Sequence, residues 1–428
     1  MAEAHVVVRE MHLSPTWWDS NDRASASRQR PMRPLRVLVA GGGIGGLAAA
    51  LCLAKRGHDV TVFEQARAFG EVGAGIQLSP NCTRVLHDLG LEGPLRAAAF
   101  QPEAIQFRNW RNGRVIGQSA LGEEAVRRFG FPYYHMHRAD LLRVLVDAAL
   151  ASPNIALLCD AAVRRFDQRD TRVRLTAVTG DDDGDLLVGA DGIHSAVRAG
   201  LWGDDRPRFT GCVAWRALVP AERLPSGLIR PMATAWWGPG GHFVHYFVRR
   251  GELVNCVGVV EKAGWEVESW TERGDHAEFA ADFDGWHDDI QRLIDNVDSD
   301  TLFKWALHDR EPMRRWGEGR VTLLGDACHP TLPFMAQGAA MAIEDAAVLA
   351  GRLAGDRDVP SALQRYERLR RGRTARVQHG SRRNATLFHL AGFKAWLRNR
   401  ATGLVAGRTT DDLYRYNAIE AARSQRDE

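Results

Sequence analysis

Three glycines at the spacing G-x-G-x-x-G are the first residues with recognisable chemistry. Gly41, Gly43 and Gly46 follow a short apolar run and precede an alanine-rich segment. In this context the first glycine allows a tight turn, the second lets the backbone approach a pyrophosphate, and the third permits close helix–strand packing. The free N–H groups and the positive end of the helix dipole would then face the diphosphate. The pattern predicts a bound dinucleotide.

An acidic residue follows at the position that such a site requires. Glu64 stands 23 positions after Gly41, at the end of a second apolar run, where a carboxylate would bind the ribose hydroxyls of an adenosine. A glycine turn without a ligand is the structural alternative. No second G-x-G-x-x-G occurs between a predicted strand and a predicted helix. A second dinucleotide is therefore expected to visit only transiently.

The elements that must position these residues can be read from the hydrophobic pattern. Residues 36–40 and 59–63 are typical of buried strands, and residues 47–55 have the composition of a helix. Between about 205 and 305, short segments rich in β-branched and aromatic residues are separated by Gly and Pro. That pattern favours an antiparallel sheet.

The predicted fold is an α/β protein. It has a Rossmann-type nucleotide-binding domain interrupted by a β-sheet-rich substrate domain, with a C-terminal helical segment. Alanine-rich sequence over about 336–354 and basic sequence over about 361–378 each predict a helix. The expected units are a disordered extension (1–34), the first part of the nucleotide-binding domain (35–204), the β-rich domain (205–305), the second part with a helix (306–390), and a C-terminal tail or helix (391–428).

Four further segments carry a resemblance to a known family. They are residues 73–81, 137–142, 185–198 and 324–330. With the glycine fingerprint, they resemble the class A flavoprotein aromatic hydroxylases, which are single-component FAD-dependent monooxygenases with the p-hydroxybenzoate hydroxylase fold. Within that family, residues 213–218 and 329–338 are most similar to salicylate hydroxylase and 6-hydroxynicotinate 3-monooxygenase.

The resemblance implies FAD as the cofactor and assigns roles by position. Arg138 would contact the FAD phosphate or ribose. Asp191 and Gly192 would serve both FAD and a passing NADH or NADPH. Asp326 would bind the ribitol hydroxyls, and the backbone of Gly75 would touch the flavin. A helix cap or a surface turn is the alternative role for Asp326.

Ala339 would also touch the flavin, and a physical argument supports its position independently. Residues 330–338 contain two prolines and end in a glycine, so they cannot form a regular helix. A helix is expected to begin around residues 337–340. Its N-terminus would direct a positive dipole at whatever lies ahead of it, which suits the negative charge of a reduced flavin.

The β-rich segment offers the candidate catalytic residues. Arg216 could pair with a substrate carboxylate or steady the flavin. Period-2 alternation places His242, Val244 and Tyr246 on one strand face and Phe243, His245 and Phe247 on the other. The resemblance marks Arg216 and Tyr246 as active-site residues. The Tyr246 face is therefore predicted to meet the substrate ring, with Tyr246 bonded to the substrate hydroxyl.

The base that accepts the phenol proton is not identified by the sequence. Gln77 stands where the hydroxynicotinate enzymes carry a histidine, and a glutamine can orient a hydroxyl but cannot take its proton near neutral pH. Core packing is the alternative role for Tyr246 and is expected for Trp236 and Trp237. His329 precedes the predicted flavin loop and is a further candidate for contact with flavin or substrate.

The resemblance implies an enzyme that uses NADH or NADPH and O₂ to hydroxylate a phenolic aromatic acid through a flavin C4a-hydroperoxide. Salicylate or a hydroxybenzoate is the first expectation for the small aromatic substrate. The alternatives are a hydroxypyridine carboxylate such as 6-hydroxynicotinate, a polyketide-like phenol, and a non-oxygenating FAD reductase or redox-sensing protein.

Composition argues against several other classes of protein. The 428 residues carry a formal net charge of only +3, so no nucleic-acid partner is expected. No apolar stretch approaches the ~18 residues of a membrane helix, and no secretory signal is visible; no membrane partner and a cytoplasmic location are expected. The six scattered cysteines contain no C-x-x-C pair, so neither disulfides nor a metal site is expected. For assembly, the family resemblance alone implies a homodimer.

Overall fold

The computed structural model describes residues 33–70, 74–262, 264–265, 272–356, 358–405 and 410–424. The predicted disordered extension lies outside the described residues except for its last two positions. The strands are β1 (Arg36–Ala40), β2 (Asp59–Phe63), β3 (Gly75–Leu78), β4 (Ala104–Asn109), β5 (Val115–Ala120), β6 (Tyr134–His137), β7 (Ile155–Leu158), β8 (Val163–Gln168), β9 (Val173–Ala177), β10 (Gly180–Gly184), β11 (Leu186–Gly189), β12 (Arg208–Pro220), β13 (Ala233–Gly238), β14 (Gly241–Val248), β15 (Leu253–Glu261), β16 (Phe303–Asp309), β17 (Gly317–Glu318) and β18 (Val321–Leu323). The helices are α1 (Ile44–Ala54), α2 (Pro80–Asp88), α3 (Glu92–Ala98), α4 (Gly122–Phe129), α5 (Arg138–Ala151), α6 (Ala196–Trp202), α7 (His276–Asp282), α8 (Asp288–Asp295), α9 (Gly338–Gly355), α10 (Val359–Phe388), α11 (Gly392–Val405), α12 (Asp411–Arg415) and α13 (Ala418–Arg423).

A six-stranded sheet in the order β17-β18-β11-β1-β2-β7 carries the glycine fingerprint. Strand β1 pairs in parallel with both β2 and β11, and only the short β17 at the edge is antiparallel to its neighbour. Residues 37–40 of β1 are completely buried, which accounts for an uninterrupted apolar run. The predicted strands at 36–40 and 59–63 agree with β1 and β2. Helix α1 begins at Ile44, three residues earlier than predicted.

A second sheet has seven strands in the order β16-β12-β15-β14-β13-β4-β5. Its pairs are antiparallel except for β13 and β4. The antiparallel sheet predicted within residues 205–305 is present, but β4 and β5 come from residues 104–120, and β16 extends to Asp309. The sequence division at 205 did not include β4 and β5, because their pairing with β13 is a contact between distant segments that leaves no local pattern.

The two helices predicted near the C-terminus are present, and the second is longer than expected. Helix α9 begins at Gly338, inside the predicted window, and most of its residues are buried. Helix α10 spans 30 residues. Asp358 caps its start by accepting the N–H of Ser361 at 3.0 Å. Within the described part of the chain, no helix has both the length and the apolar character needed to cross a membrane.

Candidate active site

A cavity of about 670 Å³ is lined by loops that follow strands of the six-stranded sheet and by one face of the seven-stranded sheet. One part of its lining comes from the loops at the ends of β1, β11 and β18, including Gly43, Gly192 and Asp326. The other part comes from the large sheet, including Arg216 and Tyr246. Residues predicted from widely separated motifs therefore meet around one space. That space is polar on the glycine side and rich in aromatic side chains on the sheet side.

The three fingerprint glycines have the geometry that each predicted role requires. Gly41 has φ +100°, and a Cβ there would lie 2.4 Å from the carbonyl oxygen of Ala190. A Cβ at Gly46 would lie 1.9 Å from the carbonyl oxygen of Gly41. At Gly43, by contrast, no atom lies within 4 Å of the Cβ position. Gly41 and Gly46 are therefore required by the protein's own packing, whereas Gly43 leaves room for a ligand at the N-terminus of α1.

Glu64 holds the glycine loop in this structure. Its carboxylate accepts the N–H of Gly42 at 2.7 Å and the N–H of Ala66 at 2.8 Å. Each carboxylate oxygen can accept a second hydrogen bond, so these contacts leave capacity for a ribose hydroxyl. Glu64 is not among the residues that line the cavity, and its predicted contact with the ribose stays a prediction.

Asp191 and Gly192, predicted together, have different positions relative to the cavity. The Asp191 carboxylate accepts the hydroxyl of Ser195 at 2.5 Å and the N–H of Val197 at 3.1 Å. It therefore stabilises the start of α6 and lies beneath the cavity surface. Gly192, with φ +78°, lines the cavity directly. Asp191 can thus act on a ligand through the shape of the loop that it holds.

Asp326 presents an exposed side chain to the cavity, and Arg138 at the start of α5 lines the same space. Desolvation by the surrounding protein raises the pKa of the Asp326 carboxyl, and the positive charge of Arg138 opposes that rise. Arg138 and Asp326 offer a cation and an acceptor to a ligand that carries both phosphates and hydroxyls. The helix-cap alternative for Asp326 does not apply, because α9 begins twelve residues later.

Gly75 and Ala339 lie where the two parts of the cavity meet. The N–H of Gly75 donates to Asn255 Oδ1 at 2.6 Å, and a Cβ at Gly75 would lie 2.7 Å from the ring of Tyr246. Ala339 lies in the first turn of α9, and Gln337, Gly338 and Ala339 all line the cavity. The N-terminus of α9 therefore faces the cavity, as the dipole argument predicted.

The large sheet presents the predicted face of β14 to the cavity. His242, Val244 and Tyr246 line the cavity, whereas His245 lines a separate cavity on the opposite face of the sheet. Arg216, on β12, places its guanidinium carbon 3.9 Å from the ring centroid of Trp305. This stacking fixes the plane of the guanidinium where Arg216 lines the cavity.

Tyr246 lies among polar aromatic neighbours. Its ring centroid is 4.4 Å from that of His135. Burial raises the pKa of its hydroxyl, so Tyr246 stays a neutral donor and acceptor. Gln77 also lines the cavity, and its side-chain oxygen accepts the hydroxyl of Tyr133 at 2.6 Å.

A chain of three side chains leads from the cavity to the protein surface, and sequence analysis missed it. His242 Nδ1 lies 2.9 Å from His389 Nε2, and His389 Nδ1 lies 2.9 Å from Glu261 Oε1. Because a carboxylate only accepts, His389 donates from Nδ1 and accepts at Nε2. His242 must then donate from Nδ1, which leaves its Nε2 as a proton acceptor. Glu261 is 58% exposed, so the chain ends in solvent.

Two other predicted roles have a different outcome. His329 does not line the cavity; its Nε2 lies 2.5 Å from Asp345 Oδ2 and both side chains are fully buried. Cys328, His329 and Asp345 could together offer ligand atoms to a metal, but Arg370 bonds the other Asp345 oxygen at 2.6 Å. The group is therefore part of an ion-pair network. Of the two tryptophans expected in the core, Trp236 is buried there and Trp237 lines the cavity.

Comparison with known proteins places the chain in a family. Residues 34–381 match the model of the FAD binding domain family. The chain is 43% identical to 3-amino-4-hydroxybenzoate 2-monooxygenase PtnB3 of Streptomyces platensis, with 90% of this chain and 96% of that protein covered. It is 40% identical to 3-hydroxybenzoate 6-hydroxylase of Polaromonas naphthalenivorans (89% and 94% covered) and 38% identical to 6-hydroxynicotinate 3-monooxygenase of Bordetella bronchiseptica (82% and 92% covered).

Solved structures show the same relationship. Klebsiella pneumoniae HpxO in complex with FAD and uric acid matches with a TM-score of 0.79 and 28% identity, over 90% of this chain and 97% of that one. A salicylate hydroxylase substrate complex matches with a TM-score of 0.77 and 26% identity, over 91% and 97%. The chain belongs to the FAD-binding class A flavoprotein hydroxylases. It is an FAD-dependent aromatic monooxygenase.

The described residues fit FAD as the cofactor. Gly43 leaves open space at a helix N-terminus for a pyrophosphate. Asp326 and Arg138 line the same cavity at positions suited to hydroxyl and phosphate groups. The second helix N-terminus, that of α9, provides a positive dipole where a flavin ring would carry negative charge.

Proposed function

We propose that this enzyme uses NADH or NADPH and O₂ to hydroxylate a phenolic aromatic acid, with a hydroxybenzoate such as 3-hydroxybenzoate or salicylate as the substrate class. The observation that carries the proposal is that Arg216 and His242 line the same cavity. An arginine recognises a carboxylate, and a histidine with a free ring nitrogen accepts a phenol proton. Two relatives act on hydroxybenzoates by name.

Substrate binding is assigned to Arg216 and Tyr246. The Arg216 guanidinium, stacked on Trp305, pairs with the substrate carboxylate. Tyr246 hydrogen-bonds the phenol oxygen. The apolar and aromatic side chains of the cavity, among them Val244, Trp237 and Phe334, hold the ring and exclude water. FAD, when bound, supplies the redox chemistry that brings electrons from the nicotinamide and one oxygen atom from O₂ to the substrate.

Proton transfer is assigned to the chain of His242, His389 and Glu261. Burial lowers the pKa of His242 well below its ordinary value, so the ring is neutral and does not by itself keep a second proton. When its Nε2 takes the phenol proton, the proton on Nδ1 passes to His389. The positive charge then lies beside the Glu261 carboxylate at the surface. The phenolate that remains activates the ring carbon for oxygen transfer.

A hydroxypyridine carboxylate is the second candidate, because the chain is 38% identical to a 6-hydroxynicotinate 3-monooxygenase. The two candidates share a carboxylate for Arg216 and an acidic hydroxyl for His242. They differ in the ring nitrogen, which would need its own partner. Gln77 lines the cavity and could supply one as an amide donor or acceptor.

The test is a substrate panel with the purified FAD-loaded enzyme. NADH or NADPH oxidation and product mass are measured with 3-hydroxybenzoate, salicylate, 3-amino-4-hydroxybenzoate and 6-hydroxynicotinate. Stimulated oxidation with a product heavier by one oxygen atom is expected for a hydroxybenzoate. The same result with 6-hydroxynicotinate alone would favour the second candidate. Oxidation indifferent to every aromatic acid, yielding only hydrogen peroxide, would refute hydroxylation.

We also propose a cytoplasmic location and a homodimeric assembly. A cytoplasmic location is supported by six free cysteines, which suit a reducing compartment. A homodimer is supported by exposed apolar side chains on α11, where Phe393, Trp396 and Leu397 are 73%, 52% and 55% exposed. A second copy would cover them. Light scattering of the FAD-loaded enzyme measures its molar mass and so tests the homodimer. The unaltered chain should have the mass of a dimer, and Trp396→Ser should shift the mass toward that of a monomer.

A further inference from the structure

A second cavity, of about 270 Å³, lies on the opposite face of the large sheet. Its lining is polar and consists of Arg108, Pro225, Ser226, Gly227, Leu228, Arg230, Thr234, Trp236, His245, Asp289 and Arg292. None of these residues lines the active-site cavity. The strand alternation explains why, since Thr234 and Trp236 face one side of β13 while Ala235 and Trp237 face the other.

The charges around this cavity do not balance. Arg108, Arg230 and Arg292 contribute three positive charges, and Asp289 contributes one negative charge. Arg108 is the partner of Asp289, at a distance of 4.0 Å. Among the described residues, Arg230 and Arg292 have no ion-pair partner. Two uncompensated positive charges at one concave site are suited to a doubly charged anion.

A buried histidine at the floor of the cavity has hydrogen-bonding capacity that the protein does not use. His245 is only 4% exposed, and neither of its ring nitrogens has a hydrogen-bond partner among the described residues. Burial and the neighbouring Arg108 lower its pKa to about 3, so it is neutral and carries one N–H donor. The indole N–H of Trp236 also lacks a partner in the described part of the chain. Buried donors without partners are costly unless a ligand satisfies them.

We propose that this cavity is a binding site for a small dianion, a phosphate or a dicarboxylate. Arg230 and Arg292 neutralise its charge, and the N–H groups of His245 and Trp236 donate to its oxygens at the floor. One sheet separates this site from the aromatic cavity. A ligand bound there would contact strands β13 and β14, which carry Trp237, His242 and Tyr246 on their other face.

Calorimetric titration of the FAD-loaded enzyme tests the proposal. Bound FAD occupies the pyrophosphate site at the N-terminus of α1, so an added anion cannot bind there. Inorganic phosphate and succinate are titrated separately at constant ionic strength. One saturable site is expected for at least one of them. Arg292→Gln should weaken that binding by about tenfold, the usual effect of losing one charge-assisted hydrogen bond. Since Arg292 is exposed, the variant should fold.

Arg314→Gln is the matched control, because Arg314 is exposed and does not line this cavity. It should bind the anion as tightly as the unaltered enzyme. Binding of phosphate alone identifies a phosphoryl ligand, and binding of succinate alone identifies a dicarboxylate. Absence of saturable binding with both anions, or equal weakening by Arg292→Gln and Arg314→Gln, overturns the proposal.

Discussion

His242 and His389 are joined ring to ring at 2.9 Å although 147 positions separate them in the sequence. His242 lies on the large sheet, and His389 immediately follows α10. Glu261, at the end of β15, completes the chain by binding His389. A buried base in the cavity is thereby connected to a carboxylate in solvent, so a proton can leave the site without water entering it.

Replacement of His389, the middle residue of the chain from His242 to Glu261, should impair removal of the phenol proton without affecting FAD binding. For His389→Asn we expect kcat to fall by about 10²-fold, the lower end of general-base contributions. The loss should diminish at alkaline pH, because the phenol then ionises unaided. Steady-state kinetics across pH, with flavin content as a check, measures this. Glu261→Gln should give a smaller decrease, and Glu222→Gln, at an exposed surface position, is the control. A pH-independent loss in His389→Asn would contradict the relay.

Equivalent substitutions at two fingerprint glycines should have different consequences. Gly43→Val places a side chain in open space at the cavity, so we expect a folded protein whose FAD affinity is at least about tenfold weaker. Gly46→Val forces a side chain against the carbonyl of Gly41 and should prevent folding. Flavin absorbance per protein after desalting and circular dichroism measure the two effects. Retention of stoichiometric flavin in Gly43→Val would refute the pyrophosphate assignment. Asp326→Ala and Glu64→Ala should each lower flavin content.

Arg216 should contribute to substrate binding through the carboxylate. Arg216→Ala should raise KM for a hydroxybenzoate by about 10- to 100-fold, as expected when a charge-assisted hydrogen bond worth about 1.5–3 kcal/mol is lost. FAD content should stay unchanged. The matched comparison is a phenol without a carboxylate, for which the variant and the unaltered enzyme should have similar KM values. An equal effect on both compounds would remove the carboxylate contact from the assignment.

The buried ion network beside the flavin loop should be important for stability. Arg370 is completely buried between Glu344 and Asp345, at 2.7 Å and 2.6 Å. Asp345→Asn leaves the buried Arg370 with Glu344 alone, and Glu344 also pairs with Arg373, so we expect the free energy of unfolding to fall by about 3–5 kcal/mol. Urea denaturation measures the change. Glu124→Gln, which removes an exposed pair with Arg127, is the control and should lower the free energy of unfolding far less, because solvent screens an exposed pair. Equal decreases in the free energy of unfolding for Asp345→Asn and Glu124→Gln would contradict a stabilising role for the buried network.

Buried neutral histidines should make stability depend on pH. Burial lowers the pKa of His135 to about 3 and has the same effect on His245, whereas the pKa in an unfolded chain is near 6.5. Between these values the unfolded chain binds protons that the folded protein does not. The free energy of unfolding therefore decreases as pH falls below about 6.5, by up to roughly 1.4 kcal/mol per pH unit for each histidine.

Replacement of one of these histidines tests whether its protonation lowers the free energy of unfolding as pH falls. His135→Leu should make the decrease shallower between about pH 6 and pH 4, as measured by urea denaturation at each pH. His379→Leu, at an exposed position, is the control. A slope that is unchanged in His135→Leu would show that protonation of His135 does not contribute to acid unfolding.

The amino-acid sequence alone determined the features that depend on neighbouring residues. The fingerprint glycines, strands β1 and β2, the start of α9 and the face of β14 that carries Tyr246 were all predictable. Backbone dihedral preferences and side-chain periodicity act over a few positions. The family motifs extended this to FAD, because each motif is itself a short local pattern.

Only the tertiary structure decided which distant segments meet. The pairing of β4 with β13, the contact of His242 with His389, and the placement of His329 in an ion network all join residues that are far apart in the chain. Such contacts arise from packing of whole elements, and no local pattern encodes them. The role of Asp191 in holding α6 and the arginine-lined cavity behind the sheet have the same origin. Each depends on which side chains the folded chain brings together.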